Sequence, residues 1–151
     1  TIENKNLIKS YIINSKLKNC GVISDDKIKN IILKKSIFAV SKSGTISLEI
    51  CNAKIPSIII YKMSFLNFLI VKMLVKTKFA NIINIAAQTE LIPELLQSKC
   101  NPKNIYEKVN EFLDEPEKIK NQIKKTQLII NNFKTEKPSS ELASLSLKKF
   151  L

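Results

Sequence analysis

The chain has 151 residues, 44% of them apolar, and a formal net charge of +12. This is enough for one domain with a real hydrophobic core. All 25 basic residues are lysine and no histidine is present, so there are no arginine forks for reading bases and no histidine to complete a metal site.

The periodicity predicts a helix over residues 6–17, with Leu7, Ile8, Tyr11, Ile12 and Leu17 on one face. Residues 20–24 read as a short strand. Asp25 and Asp26 then open a helix to about Lys34, with Ile28, Ile31 and Ile32 turned inward. A buried strand follows over residues 36–41, a helix over 46–53 and a second apolar strand over 55–61. The order α-β-α-β-α-β is that of a parallel sheet covered by helices. Parallel strands are therefore expected near Val22, Phe38 and Ile58.

Residues 64–76 read as an apolar helix that is too short to span a bilayer and carries Lys72. It reads as a core helix, with contact to lipid as the alternative. Residues 79–85 read as extended, and residues 92–97 as a compact turn or short strand. Asn101-Pro102 is a helix start, an N-cap followed by proline, and that helix runs to about Leu113. Asp114 caps another over 116–133. A polar linker over 134–140 leads to a last helix ending near Phe150. The expected fold class is α/β, a parallel sheet with flanking helices and a helical C-terminal extension. The division falls between residues 1–113 and 114–151.

The lysines are scattered. Lys27, Lys29, Lys34, Lys118, Lys120 and Lys125 fall on polar helix faces and read as a solvated surface. No aromatic-rich basic strand offers a base-stacking platform. Cys20, Cys51 and Cys100 are odd in number and far apart, with no metal-ligand spacing, which suits a reducing cytoplasm. The chain does not begin with methionine and reads as a piece of something longer.

The run Ser43-Gly44-Thr45-Ile46-Ser47-Leu48-Glu49 carries the chemistry. It is a strand-to-helix turn inside a βαβ unit, where free N–H groups at a positive helix end suit a phosphate. Ser43 and Thr45 add hydroxyl donors, and Gly44 lets a ligand approach the backbone. Glu49 lies one helical turn beyond Thr45, on the same face, where a carboxylate can accept from a sugar hydroxyl pair. Phosphate at the turn and ribose at the carboxylate make a nucleotide grip. The plain alternative is an ordinary loop in which Ser and Thr are N-cap residues.

That turn, Tyr61-Lys62-Met63, Leu74-Val75-Lys76, Asn84 and Pro93-Glu94-Leu95-Leu96-Gln97 occur in an ordered set. In this the chain resembles the C-terminal half of the lipid-A-disaccharide synthase family, chiefly over residues 25–113. The resemblance implies a Rossmann-like C-terminal domain of a two-domain GT-B glycosyltransferase. It implies transfer of 2,3-diacylglucosamine from UDP-2,3-diacylglucosamine to 2,3-diacylglucosamine 1-phosphate with inversion, releasing UDP, without a metal or other cofactor. It places the diphosphate at Ser43, Gly44 and Thr45 and the ribose at Glu49, with Asn84 in the site region and Lys62 as a candidate phosphate contact.

There are departures. Lys62 stands where the family often has arginine, and Phe65 where many members have proline. Ala87-Gln88-Thr89 replaces Ala-Gly-Arg, removing a planar donor fork. The resemblance also implies that the catalytic base lies on an N-terminal half outside this chain, that the chain is inactive alone, and that no catalytic residue lies on it. Glu94 reads as a structural cap as readily as a catalytic carboxylate. The implied location is the cytoplasm of a Gram-negative bacterium, peripheral to the inner membrane, with no nucleic-acid partner. The alternatives are another UDP-sugar GT-B glycosyltransferase, or a basic module for nucleic acid or an anionic membrane.

Overall fold

A computed structural model describes residues 2–64, 67, 68, 73, 77–134, 140, 144 and 147. The chain divides into two compact units, residues 1–36 and 37–151.

The first unit holds helices α1 (Ile2–Asn14) and α2 (Asp26–Lys35). The Asp25 carboxylate accepts from the Ile28 N–H at 2.9 Å and caps α2, as its sequence position predicts. Two expectations fail here. Residues 20–24 form no strand; a strand needs a ladder partner, and among the described residues none pairs with them. Ile28, Ile31 and Ile32, expected inward, are 49%, 56% and 42% exposed. Within this unit itself, two short helices in 36 residues offer too little surface to cover that face.

The second unit is built on a three-stranded parallel sheet in the order β1-β2-β3. Its strands are β1 (Ala39–Lys42), β2 (Ser57–Tyr61) and β3 (Glu94–Leu96). Ser41 pairs with Ile59, and Ile59 with Glu94, so these three form one row across the sheet. The β-branched run Ile58-Ile59 suits a central parallel strand, and neither residue has exposed surface.

Helix α3 (Thr45–Asn52) connects β1 to β2. Helix α4 (Ile82–Ala87) lies between β2 and β3 in sequence, where an extended segment was expected. The overlooked signal is Asn81, whose side chain accepts from the Ile83 N–H at 2.8 Å and starts the helix. A 3-10 turn (Gln97–Lys99) follows β3, then α5 (Pro102–Asp114) and α6 (Pro116–Phe133). Asn101 caps α5 as predicted, by accepting from the Asn104 N–H.

Helix α6 packs against α3 and α4. Its Ile130 joins Cys51, Ile59, Ile83 and Ile92 in the core. Burial pushes the Cys51 thiol up to about 11, so it behaves as a small apolar residue rather than a nucleophile. Gln122 on α6 clamps the start of β2. It accepts from the Ser57 N–H at 2.8 Å and donates to the Ser57 carbonyl at 3.0 Å. Of the helices expected over 64–76 and 140–150, most residues lie outside those described; Asn67, Phe68, Met73, Ser140, Ser144 and Leu147 are helical. Among the described residues, no helix is long and apolar enough to cross a membrane.

Candidate functional site

The turn from β1 to α3 lies at the carboxyl end of the strand, where open parallel sheets place their ligands. Gly44 is the N-cap of α3, with φ 151° and ψ −168°. That conformation is essentially restricted to glycine. A Cβ built on Gly44 meets nothing within 4 Å. The glycine therefore serves the backbone conformation, and its face is open to an approaching ligand. Among the described residues no side chain caps α3, which leaves its first-turn N–H groups without a side-chain acceptor there.

The two hydroxyls expected as donors differ. Thr45 is the first residue of α3 and exposed. Ser43 instead donates to the Ala80 carbonyl at 2.5 Å, so its proton is committed within the chain. Ser47, buried inside the first turn, donates to the Gly44 carbonyl at 2.6 Å and fixes the turn from within. Glu49 is exposed, one helical turn beyond Thr45. Lys62 is exposed directly after β2.

Asn84 is not at the surface. It is fully buried, and its amide is used within the chain. Its Nδ2 donates to the Ile92 carbonyl at 2.7 Å and to Glu94 Oε1 at 2.8 Å. Its Oδ1 accepts from the N–H groups of Leu91 and Ile92, both at 2.9 Å. The structure thus brings Ser43, Gly44, Thr45 and Glu49 together on one turn and helix, and puts Asn84 behind them in a polar knot.

The centre of that knot is Glu94. Its Oε2 accepts from the Ala80 N–H at 2.8 Å, and its Oε1 from the Asn81 N–H at 3.0 Å as well as from Asn84. Gln97 plays a similar part beyond β2, accepting from the Met63 N–H at 2.9 Å. Two buried polar atoms near this junction, Ser41 Oγ and Asn81 Nδ2, have no partner among the described residues.

One residue at the turn carried no signal in the sequence beyond its charge. Lys42, the last residue of β1, holds its Nζ 4.8 Å from the centroid of the Tyr61 ring. It sets a cation at the strand edge immediately before Ser43.

A sequence profile for lipid-A-disaccharide synthetase matches residues 4–148. The chain belongs to the lipid-A-disaccharide synthase family. The lipid-A-disaccharide synthase of Rickettsia canadensis (strain McKiel) is 35% identical over 147 residues, covering 96% of this chain and 37% of that protein. The protein of the same name from Rickettsia prowazekii (strain Madrid E) is 32% identical over 94% of this chain and 37% of its own length. That of Sulfurihydrogenibium sp. (strain YO3AOP1) is 38% identical over 98 residues, 65% of this chain and 25% of its own. The chain thus spans a little over a third of the length of the Rickettsia relatives it matches. The α/β architecture with a parallel sheet and flanking helices fits a Rossmann-like part of a GT-B enzyme.

Proposed function

We propose that this chain is the donor-nucleotide part of a lipid A glycosyltransferase. In this reading UDP-2,3-diacylglucosamine is the donor and 2,3-diacylglucosamine 1-phosphate the acceptor. The products are lipid A disaccharide 1-phosphate, formed with inversion, and UDP. The observation that carries the reading is the uncapped, glycine-initiated helix α3 at the carboxyl end of β1, with Glu49 one turn further along. The diphosphate sits against the Gly44–Thr45 backbone, where the N–H groups and the helix dipole favour negative charge. Glu49 accepts from the ribose hydroxyls. Lys42 and Lys62 supply positive charge at the strand ends; with single ammonium groups they act as point charges rather than as planar forks.

Residues 1–113 hold the nucleotide, and residues 114–151 brace it, as α6 does against α3. Asn84 contributes by fixing the backbone behind the turn. The general base and the acceptor pocket belong to an N-terminal domain across a cleft, so the chain by itself does not catalyse transfer. The acylated substrates call for a position at the cytoplasmic face of the inner membrane.

Titration calorimetry with UDP tests the ribose role. Glu49→Ala in the full-length protein should cost about 1–3 kcal/mol of UDP affinity, the scale of a hydrogen bond to a charged group. Unchanged affinity in a folded variant refutes it.

A further inference from the structure

Ala80 joins the two outer strands of the sheet through the peptide groups on either side of its Cα. On one side its carbonyl accepts from Ser43, in the turn after β1. On the other its N–H donates to Glu94, the first residue of β3. Glu94 stands in the row Ser41-Ile59-Glu94, so residues 80–81 link the β3 end of that row to Ser43, two residues beyond its β1 end. The strap is stiff for an identifiable reason. The Glu94 carboxylate accepts three hydrogen bonds, two from backbone N–H groups and one from the buried Asn84 amide. Charge-assisted bonds of this kind are shorter and stronger than neutral ones. One of them also satisfies the N–H of the buried Asn81, ahead of α4, which would otherwise lie without an acceptor. The Glu94 N–H is itself held by Glu90 Oε1 at 3.0 Å, and Asn84 ties the strap to Leu91 and Ile92.

We propose that Glu94 is a positioning residue for nucleotide binding: through Ala80 and Ser43 it sets the Ser43–Thr45 turn for the diphosphate without touching the ligand. The inference rests on the nucleotide reading of that turn. It gives Ser43 a different part from a phosphate donor, because its proton is spent on Ala80. Its value to the ligand is the position it imposes on Gly44.

The geometry makes Glu94→Gln a specific probe. Gln keeps the size of Glu but has one acceptor oxygen. Two donors meet Oε1 and one meets Oε2, so the amide oxygen is best spent on Asn81 and Asn84. The NH2 group is then turned on the Ala80 N–H, donor against donor. The strap is released on the N–H side of Ala80, one peptide before the carbonyl that holds Ser43.

The experiment compares wild type, Glu94→Gln, Ser43→Ala and the double variant in the full-length protein, by calorimetry with UDP and with uridine. Each single variant should lose about tenfold in UDP affinity, the double no more than either, and uridine affinity should stay within twofold. A folded Glu94→Gln protein with wild-type UDP affinity overturns the proposal. So does a double variant that loses the product of the two single effects, because the residues would then act separately. Ser43→Ala, at a turn near the surface, keeps the test open should Glu94→Gln fail to fold.

Amide exchange in the ligand-free protein separates this from the nucleotide reading. Faster exchange at Ser47, whose N–H bonds the Gly44 carbonyl, with β2 unchanged in either single variant, supports the coupling. Unchanged exchange overturns it. A wild-type protein that does not bind UDP overturns the nucleotide reading and the positioning role with it, while the exchange result still decides whether the strap holds the turn.

Discussion

Gly44→Ala isolates the conformational demand of the turn between β1 and α3. The added methyl group meets nothing within 4 Å, so no steric clash contributes. The whole effect comes from φ at 151°, a region that costs a residue with a side chain about 1–3 kcal/mol. Replacing glycine also restricts the unfolded chain, which returns about 0.4–1 kcal/mol. The net expectation is a loss of roughly 1 kcal/mol, or about 3–5 °C in melting temperature for a domain of this size. Urea titration with an unchanged slope measures it. Gly21→Ala is the matched control. Gly21 also has open space around its Cβ position but does not adopt a positive φ, so that variant should be neutral or slightly more stable. UDP affinity should fall only for Gly44→Ala, because a turn that relaxes toward ordinary φ swings its N–H groups away from the ligand. A Gly44→Ala protein as stable as Gly21→Ala refutes the reasoning.

Three further outcomes follow from the same geometry. Gln122→Ala should cost roughly 3 kcal/mol, because it leaves the Ser57 N–H and C=O buried without partners; a urea midpoint shift worth under 1 kcal/mol would rule this out. Lys42→Gln should weaken UDP by about 1 kcal/mol at low salt, the upper end for an exposed charge pair, and flatten the salt dependence of binding. Equal losses for UDP and uridine would show that Lys42 does not face the diphosphate. The third concerns pH. Hydrogen bonds from Lys108 and then Lys118 hold the Glu111 carboxyl below its ordinary value, and bonds to Glu111 and Glu115 raise Lys118 above its own. The Glu111 contribution is complete above its unfolded-state pKa and lost as pH falls through its folded value. That of Lys118 is complete below its unfolded-state pKa and lost as pH rises through its folded value. Glu111→Gln should therefore flatten the acid limb of a stability-against-pH series and weaken the alkaline contribution of Lys118 as well, because Lys118 loses the first of its two partners.

Local signals in the chain predicted the sheet well where they were strong. The apolar β-branched run ending in Ile58-Ile59-Ile60 became the central strand, and Asn101-Pro102 opened a helix where expected. The strand-to-helix turn at Gly44 was legible because a strand, a lone glycine and a helix follow one another without a gap. Two kinds of feature were not legible. Residues 20–24 have strand composition, but whether a strand forms depends on a partner, and that information is not local. Asn84 has the polarity of a ligand residue, yet four hydrogen bonds to groups eight or ten positions away, or closer, bury it in a knot. A polar residue in a functional motif looks the same in sequence whether it faces the ligand or holds the backbone that does.

That ambiguity has a physical basis in how the candidate turn is held. Binding geometry matters on the scale of about half an ångström. Apolar burial is not directional, so Ile58, Ile59, Ile83 and Ile92 can choose which elements are adjacent without aiming a particular N–H. The turn residues Gly44 and Thr45 are small or exposed and bury little surface that could hold them in place. Directional bonds must do the aiming: Ser47 to Gly44, Ser43 to Ala80, and Ala80 to Glu94. Glu94 and Gln97 bracket Leu95 and Leu96 in one short run, and each reaches a different backbone segment, residues 80–81 and Met63. One run therefore pins the chain beyond the ends of both other strands, β1 through Ser43 and β2 through Met63. The Pro93–Gln97 motif is then best understood as the frame that holds the candidate site in register, and its substitutions should alter affinity through geometry rather than through a lost ligand contact.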